Sequence, residues 1–307
     1  MDKNVHTDMS VSIAGVTFQN PVMTASGTFG SGMEYSDFVD LNRLGAVVTK
    51  GVSSVPWEGN PTPRVTEVPG GMLNAIGLQN PGIDVFIERD LAFLKQFDTR
   101  VIVNVCGHTV EEYLDVVERL ADEKRVDMLE INVSCPNVKQ GAIAFGTEAD
   151  ALFDITQRIK KVAKQPVIMK LTPNVTSIAE MAKAAEAGGA DGISLINTIT
   201  GMKIDVEKQK FVLANKTGGL SGPAIHPIAV RMVYEAHQAV QIPIIGMGGI
   251  ASWQDAAELM LAGATAVAVG AMNFHTPDLT VKVADGLADY AARHGLSKIE
   301  DLIGAVQ

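Results

Sequence analysis

The stretch PIIGMGGI at residues 243–250, followed by AVAVGAM at 266–272, decides the fold of this chain. Each begins as a short apolar run and is broken by glycine, which is typical of a buried strand that ends in a tight turn. Between them, SWQDAAELMLAGA (252–264) has apolar residues at helical spacing behind a serine that can cap the first turn. The order strand, helix, strand predicts a parallel βαβ unit.

The same alternation extends towards the N-terminus through six more apolar runs. They are PVMTAS (21–26), AVVTKG (46–51), RVIVNVCG (100–107), MLEINVSCP (128–136), PVIMKL (166–171) and GISLINT (192–198). Helical patterns such as TVEEYLDVVERLADE (109–123) and TEADALFDITQRIKKV (147–162) lie between them. Eight alternations predict an α/β protein with a (β/α)8 TIM barrel, an open doubly wound sheet being the alternative. No low-complexity linker divides the chain, so we expect a single domain over residues 1–307.

Composition excludes several classes of function. The formal net charge is -10 and no basic block is present, which argues against a nucleic-acid or anionic-membrane surface. No run approaches the roughly 20 apolar residues that span a bilayer, and MDKNVHTDMS is too polar for a signal peptide. With only Cys106 and Cys135, no thiol-based metal or disulfide framework is expected. We therefore expect a cytoplasmic protein without a metal site.

Long connections follow the predicted strands 2, 4 and 6. The first covers residues 51–82 with five prolines, the last covers 198–222, and KQGAIAFG (139–146) after strand 4 has the glycines of a movable lid. Long ordered loops in compact domains are usually functional. In a barrel, all three loops lie on the C-terminal face, where active sites are found.

Polar residues and glycines occupy the predicted strand ends, although one such residue alone is most often a cap. The set contains two lysines, which can hold an anion or polarise a carbonyl, and three asparagines, which can hydrogen-bond along a ring edge. Glycines after strands 7 and 8 indicate a phosphate site, for a substrate or a cofactor. Cys135, just past strand 4, is a candidate base or nucleophile, whereas Cys106 is interpreted as structural. The residues at the strand ends are Ser26, Lys50, Asn104, Asn132, Lys170, Asn197, Gly248, Gly249 and Gly270.

Taken together, these motifs resemble class 1 dihydroorotate dehydrogenases. The resemblance runs from NPVMTASGTFG (20–30) to the closing helix, and its most specific pieces are VTKGVS, EGNPTPR, NAIGLQNPG, LEINVSCPNVK, IMKLTPN, INTITG and GLSGPAIHP. It implies FMN contacts at Ala25, Ser26, Lys50, Gly51, Asn104, Asn132, Lys170, Ile196, Gly222, Gly248, Gly249, Gly270 and Ala271. It implies dihydroorotate or orotate contacts at Lys50, Asn74, Gly77, Leu78, Asn132, Asn137, Asn197 and Thr198.

The resemblance also implies a catalytic residue. Cys135 falls on the position of the catalytic base in class 1, whereas class 2 enzymes have serine there and an N-terminal membrane extension. One departure is Ala271, where related sequences usually have threonine, so a hydroxyl contact to phosphate would be lost. The expected reaction is oxidation of (S)-dihydroorotate to orotate in de novo pyrimidine (UMP) biosynthesis, with hydride transfer to FMN.

Three segments are most similar to the class 1B catalytic subunit: KGVSSVPWEGN (50–60), NVKQGAIAFG (137–146) and TGMKID (200–205). This implies an electron-transfer partner subunit that holds FAD and a [2Fe-2S] cluster and reduces NAD+. A [2Fe-2S] cluster needs four cysteine ligands, and this chain has two cysteines. We therefore expect a heterotetramer around a homodimeric core of catalytic subunits.

Three other interpretations remain open from the sequence. A class 1A enzyme is a homodimer that passes its electrons to fumarate. A phosphate-binding barrel lyase would use Lys170 as a Schiff-base nucleophile, because such lysines lie on strand ends. A flavin-binding module without catalysis would leave the asparagines and Cys135 unexplained.

Overall fold

The computed structural model describes residues 7–133 and 145–307. Its centre is a closed barrel of eight parallel strands, in which each strand pairs with the next along the chain and the last pairs with the first. The (β/α)8 prediction is therefore confirmed. The strands are β1 (Val22–Thr24), β2 (Ala46–Val48), β3 (Arg100–Val105), β4 (Met128–Asn132), β5 (Val167–Lys170), β6 (Gly192–Leu195), β7 (Ile244–Met247) and β8 (Ala266–Val269).

Helices follow six of the strands and pack around the barrel. Three of them begin at the side-chain caps Thr109, Ser177 and Ser252, each of which accepts a hydrogen bond from a backbone N–H three residues on. The helices are α1 (Val110–Leu120), α2 (Ala149–Val162), α3 (Ile178–Ala187), α4 (His226–His237), α5 (Trp253–Leu261) and α6 (Leu279–Arg293).

The first two connections differ from this pattern. After β1 come two short 3-10 helices, Met33–Tyr35 and Leu41–Arg43. After β2 the chain forms α-helical Gly82–Val85, π-helical Phe86–Leu91 and α-helical Ala92–Leu94 in succession. Short 3-10 helices also occur at Pro223–Ile225, Ala271–Phe274 and Ile299–Leu302.

An antiparallel hairpin of Val11–Ile13 and Val16–Phe18 covers the N-terminal end of the barrel. Arg100, the first residue of β3, donates from Nε to the carbonyl of Thr17, and Phe18 is fully buried. Because the hairpin closes this end, the opposite end is left to bind a ligand.

The connections after β2 and β6 form one four-stranded antiparallel sheet at the C-terminal face. Its strands, in spatial order, are Ile199–Met202, Thr217–Ser221, Gly71–Asn74 and Val65–Val68. A two-stranded ribbon, Ile204–Asp205 with Lys210–Phe211, extends the second connection. The predicted excursions after strands 2 and 6 are thus confirmed, whereas most of the one after strand 4 lies outside the described residues. Within the ranges described, no helix has the length and apolar character needed to cross a membrane.

Candidate ligand site at the C-terminal face

A cavity of about 790 Å³ lies between the barrel mouth and the four-stranded sheet. Its volume is in the range of small-molecule and cofactor sites. Most residues predicted to bind a ligand line it, although their individual roles remain predictions. The predicted residues in its wall are Ala25, Ser26, Lys50, Gly51, Asn74, Gly77, Leu78, Asn132, Lys170, Ile196, Asn197, Thr198, Gly222, Gly248, Gly249, Gly270 and Ala271.

Three predicted residues are not in this wall. Cys135 and Asn137 lie outside the described residues. Asn104, expected at a strand end in the mouth, is the penultimate residue of β3 and is fully buried. The valine-rich run continues through Val105, so the strand extends one residue past Asn104, and its side chain points into the barrel interior.

A buried carboxylate, Glu130 of β4, holds Asn104 there. Its Oε2 accepts from Asn104 Nδ2 at 2.6 Å, its Oε1 accepts from Ser194 Oγ at 2.7 Å, and Lys170 Nζ lies 3.3 Å from Oε2. A buried charge is tolerated only when it is paired and hydrogen-bonded, as this carboxylate is by residues of β3, β5 and β6. Sequence reasoning missed Glu130 and Ser194, although a glutamate inside the apolar run MLEIN was a signal.

This carboxylate also fixes which way the Asn104 amide faces. An ionised carboxylate only accepts hydrogen bonds, so the NH₂ group of Asn104 must face Glu130 and its Oδ1 must face the other way. A Cβ on Gly51, in the cavity wall, would lie 3.2 Å from that Oδ1. Within the described chain, Oδ1 is buried and accepts no hydrogen bond. It is therefore suited to accept from an N–H of a ring-shaped ligand.

Lys50 is a partly buried cation in the cavity wall, where Arg64 also lies. Burial lowers the pKa of the Lys50 ammonium. The nearby Cys106 raises this pKa, and the Arg64 guanidinium lowers it further. Among the described residues, no carboxylate lies within the 4.0 Å that defines an ion pair with it. A partly desolvated ammonium without a carboxylate partner attracts a carboxylate from solution more strongly than an exposed lysine does.

Hydrogen bonds fix the amide groups of the asparagines in the cavity wall. Asn197 Nδ2 donates to Asn132 Oδ1 at 3.3 Å, and Asn197 Oδ1 accepts from the Thr198 N–H at 2.7 Å. Asn174, which sequence reasoning missed, donates to the Thr198 carbonyl at 3.1 Å and accepts from the Thr200 N–H. Asn174 also lines the cavity, so four linked polar residues present directed donors and acceptors.

The glycines after β7 adopt conformations that other residues rarely adopt. Gly248 and Gly249 have φ of 131° and 73°. A Cβ on Gly249 would lie 2.8 Å from His226 Cβ and 2.9 Å from the Gly222 carbonyl oxygen. Gly270 differs, because a Cβ there would make only an ordinary 3.6 Å contact with Ala25. The protein leaves room at Gly270, which suits the close approach of a phosphate to backbone N–H groups.

The ion pair of Lys170 argues against Schiff-base chemistry. Its side chain is 5% exposed and paired with Glu130. A Schiff-base lysine must be free to attack a carbonyl carbon, whereas this side chain is buried and held by the Glu130 carboxylate. The lyase interpretation is therefore disfavoured.

Fold and cavity together define the class: a (β/α)8 barrel with a ligand-sized cavity, lined by glycines, lysines and asparagines, at its C-terminal mouth. The family model described as dihydroorotate dehydrogenase matches residues 8–290. This chain belongs to the dihydroorotate dehydrogenase family, and the resemblance inferred from the motifs is confirmed.

Similar proteins carry names from the same family. The catalytic subunit of dihydroorotate dehydrogenase B (NAD(+)) of Lachnoclostridium phytofermentans is 67% identical over 298 residues, which is 97% of this chain and 99% of that protein. The catalytic subunit of the same name from Alkaliphilus oremlandii is 59% identical over 297 residues, covering 97% and 98%. A solved Eimeria tenella dihydroorotate dehydrogenase, in complex with ferulenol, superimposes with a TM-score of 0.80 at 24% identity, over 97% of this chain and 88% of that one. That likeness shows the fold alone.

The burial of Lys50 predicts a pH-dependent effect on stability. At neutral pH the folded state carries a desolvated ammonium, and Lys50→Met removes this penalty, so the variant should be more stable by about 0.5–2 kcal/mol. Because the folded pKa is lowered, wild-type Lys50 loses its proton on the folded chain first as pH rises. The difference in free energy of unfolding between variant and wild type should therefore shrink as pH rises from that lowered pKa to the ordinary value of 10.5.

Urea unfolding of both proteins across pH, in the same state of ligand loading, measures this difference. Lys183→Met, at an exposed lysine of α3, is the matched control and should show no pH-dependent gain. A Lys50→Met protein that is less stable than wild type at neutral pH contradicts the prediction.

Proposed function

We propose that the chain oxidises (S)-dihydroorotate to orotate, in de novo pyrimidine (UMP) biosynthesis, with FMN as first electron acceptor and NAD+ as final acceptor. The observation that carries this proposal is the single cavity, which joins the glycines after β7 and β8 to Lys50 and the asparagine set. Family membership and the relatives' names support it. The catalytic domain is proposed to span residues 1–307 and to act in the cytoplasm.

FMN fits the residues of the cavity. Gly248, Gly249, Gly270 and Ala271 offer backbone positions for the phosphate, so the alanine at 271 loses a hydroxyl but no N–H. The unsatisfied Oδ1 of Asn104 offers an acceptor for a ring N–H. When bound, FMN supplies an acceptor for a hydride. Residues proposed to contact it are Ala25, Ser26, Lys50, Gly51, Asn104, Asn132, Lys170, Ile196, Gly222, Gly248, Gly249, Gly270 and Ala271.

Dihydroorotate is proposed to bind with its carboxylate at the Lys50 ammonium. The fixed amides of Asn132 and Asn197 suit the alternating N–H and C=O groups of its ring, because each amide offers one donor face and one acceptor face. Residues proposed to contact the substrate are Lys50, Asn74, Gly77, Leu78, Asn132, Asn137, Asn197 and Thr198.

Cys135 is proposed as the general base that removes the C5 proton of dihydroorotate while hydride leaves C6. Loss of hydride alone would leave positive charge beside the ring nitrogen, and removal of the C5 proton relieves that charge by forming the C5–C6 double bond. The electron pair of the C6–H bond leaves with the hydride, and the C5 proton goes to sulfur. This role rests on the sequence, because Cys135 lies outside the described residues.

A partner subunit with FAD and a [2Fe-2S] cluster is proposed to carry electrons from this chain to NAD+. The two cysteines of this chain fall short of the four ligands that such a cluster needs. The relatives named as catalytic subunits of the NAD(+)-linked enzyme support this arrangement over the fumarate-linked class 1A alternative. The proposed assembly is a heterotetramer with two catalytic subunits at its core.

FMN content tests the core of the proposal. The purified chain should be yellow and should release FMN into the supernatant on heat denaturation, because the phosphate site is made of backbone groups and no covalent link is expected. Chromatography of the released chromophore, with an FAD standard, measures this. Absence of flavin, or a predominance of FAD, would contradict the proposed cofactor.

Electron acceptors test the need for a partner. The isolated chain should oxidise dihydroorotate rapidly with an artificial dye and slowly with NAD+, because no iron-sulfur path leads out of it. Steady-state rates with dye, NAD+ and fumarate provide the comparison, and addition of the co-purified partner should restore NAD+ reduction. Efficient NAD+ reduction by the lone chain would overturn the partner proposal, and efficient fumarate reduction would assign the chain to class 1A.

Cys135→Ala should slow flavin reduction by dihydroorotate about 10²- to 10⁴-fold, the usual contribution of a positioned base. An ordinary thiol has a pKa of about 8.5, so the wild-type rate should rise with pH. Cys135→Ser should retain activity only towards high pH, because an alcohol is a far weaker acid. Stopped-flow bleaching across pH measures the rates, with Cys106→Ala as control. A Cys135→Ala rate within about threefold of wild type would assign the base role elsewhere.

A further inference from the structure

His226, the first residue of α4, lies directly behind the glycines that follow β7. Its side chain is 9% exposed. Nδ1 lies 2.9 Å from the Gly248 carbonyl oxygen, and Nε2 lies 3.1 Å from Glu258 Oε2 and 3.8 Å from Asp255 Oδ1. His226 is not among the residues proposed above for catalysis, substrate binding or FMN binding.

Both ring nitrogens of His226 face hydrogen-bond acceptors. A carbonyl oxygen accepts and never donates, so Nδ1 must carry a proton. Nε2 lies beside the carboxylate of Glu258, so the ring is held between a carbonyl oxygen on one side and a carboxylate on the other. The ring thereby fixes the direction of the Gly248 carbonyl.

The charges around the ring come from three elements. α5 contributes Glu258 and Asp255, although Asp255 is already engaged by the N–H groups of Ala251 and Ser252. The loop after β7 contributes the Gly248 carbonyl. The N-terminus of α4 contributes the positive end of its helix dipole.

The hydrogen bond to Gly248 also sets the direction of the next N–H. The Gly248–Gly249 peptide is trans, so its C=O and its N–H point in opposite directions. With the carbonyl drawn towards His226, the Gly249 N–H must point away from the ring. Within the described chain, this N–H donates no hydrogen bond, and Gly249 lines the cavity.

Close packing keeps the loop against the histidine. A Cβ on Gly249 would lie 2.8 Å from His226 Cβ, and a Cβ on Gly248 would lie 2.7 Å from Ala229 Cβ, one turn along α4. Backbone and helix are thus in direct contact over two successive residues. A change in the His226 side chain will therefore be transmitted to the peptide that carries the Gly249 N–H.

We propose that His226 is a positioning residue for the phosphate group of the bound ligand. Held between Glu258 and the Gly248 carbonyl, its ring draws that carbonyl away from the cavity and so points the Gly249 N–H into the cavity. The inference rests on the proposed function insofar as that ligand is FMN. The proposed role of His226 concerns only the phosphate group. Other residues are proposed to bind the flavin ring and the substrate.

The test compares FMN with riboflavin, which shares the ring and the ribityl chain and lacks the phosphate. Dissociation constants of flavin-free chain for both ligands are measured by quenching of flavin fluorescence. For His226→Gln, FMN binding should weaken about tenfold to a hundredfold, the usual effect of losing a charge-assisted hydrogen bond. Riboflavin binding should stay within about threefold, which also shows that the variant is folded. His275→Gln, the same change at an exposed histidine, should leave both constants unchanged.

Titration with inorganic phosphate decides the inference without flavin. The Gly249 amide signal in the NMR spectrum should move on phosphate addition in wild type and much less in His226→Gln. A chain that binds neither flavin contradicts the proposed function, whereas a phosphate-induced shift would still support the role of His226. If His226→Gln keeps the wild-type FMN to riboflavin affinity ratio, or the full Gly249 response to phosphate, the role of His226 is overturned.

Discussion

The ion pair and hydrogen bonds of Glu130 are the constraint on which the barrel interior depends. A carboxylate that is 1% exposed is stable only with partners on both oxygens, and it takes them from three different strands. Removal of one partner of such a buried pair typically costs about 3–5 kcal/mol, since the other charge is left buried and uncompensated. Apolar side chains would pack the barrel as well or better. The cost of burying Glu130 is therefore best explained by what it orients, namely the Asn104 amide and the Lys170 ammonium.

The position of the mouth follows from how the barrel is closed. One end is covered by the N-terminal hairpin, with Phe18 buried beneath it. At the other end, the connections after β2 and β6 pair with each other, so residues 71–74 and 217–221 hold one another at a fixed distance from the strand ends. This pairing brings Asn74 opposite Gly219, far from it in sequence. The ligand site is thus enclosed by an ordered sheet instead of separate loops.

Local sequence patterns predicted most of the fold and part of the ligand site. Apolar runs and caps such as Thr109 depend on neighbours in sequence, so the eight strands and their order were predictable. The sheet formed by the two long connections was not, because it depends on pairing between segments about 145 residues apart, and no local period encodes that. The hydrogen bond between Asn104 and Glu130 was not predictable for a related reason: the two residues lie in neighbouring strands. Glu130 could have been identified from the sequence as a charged residue in an apolar run. A buried charge needs a partner, which would have indicated an ion pair inside the barrel.

Charge pairing divides the cations of the cavity into two kinds. The chain is acidic overall, at -10, so an anionic ligand is held by local charges and not by the general field. Lys170 faces the carboxylate of Glu130, which fixes its position. Such a fixed group suits a ligand that stays bound. Lys50 has no carboxylate partner among the described residues, and burial lowers its pKa. Its charge is therefore most stabilised when a ligand brings a carboxylate, which suits a substrate that arrives and leaves in every turnover.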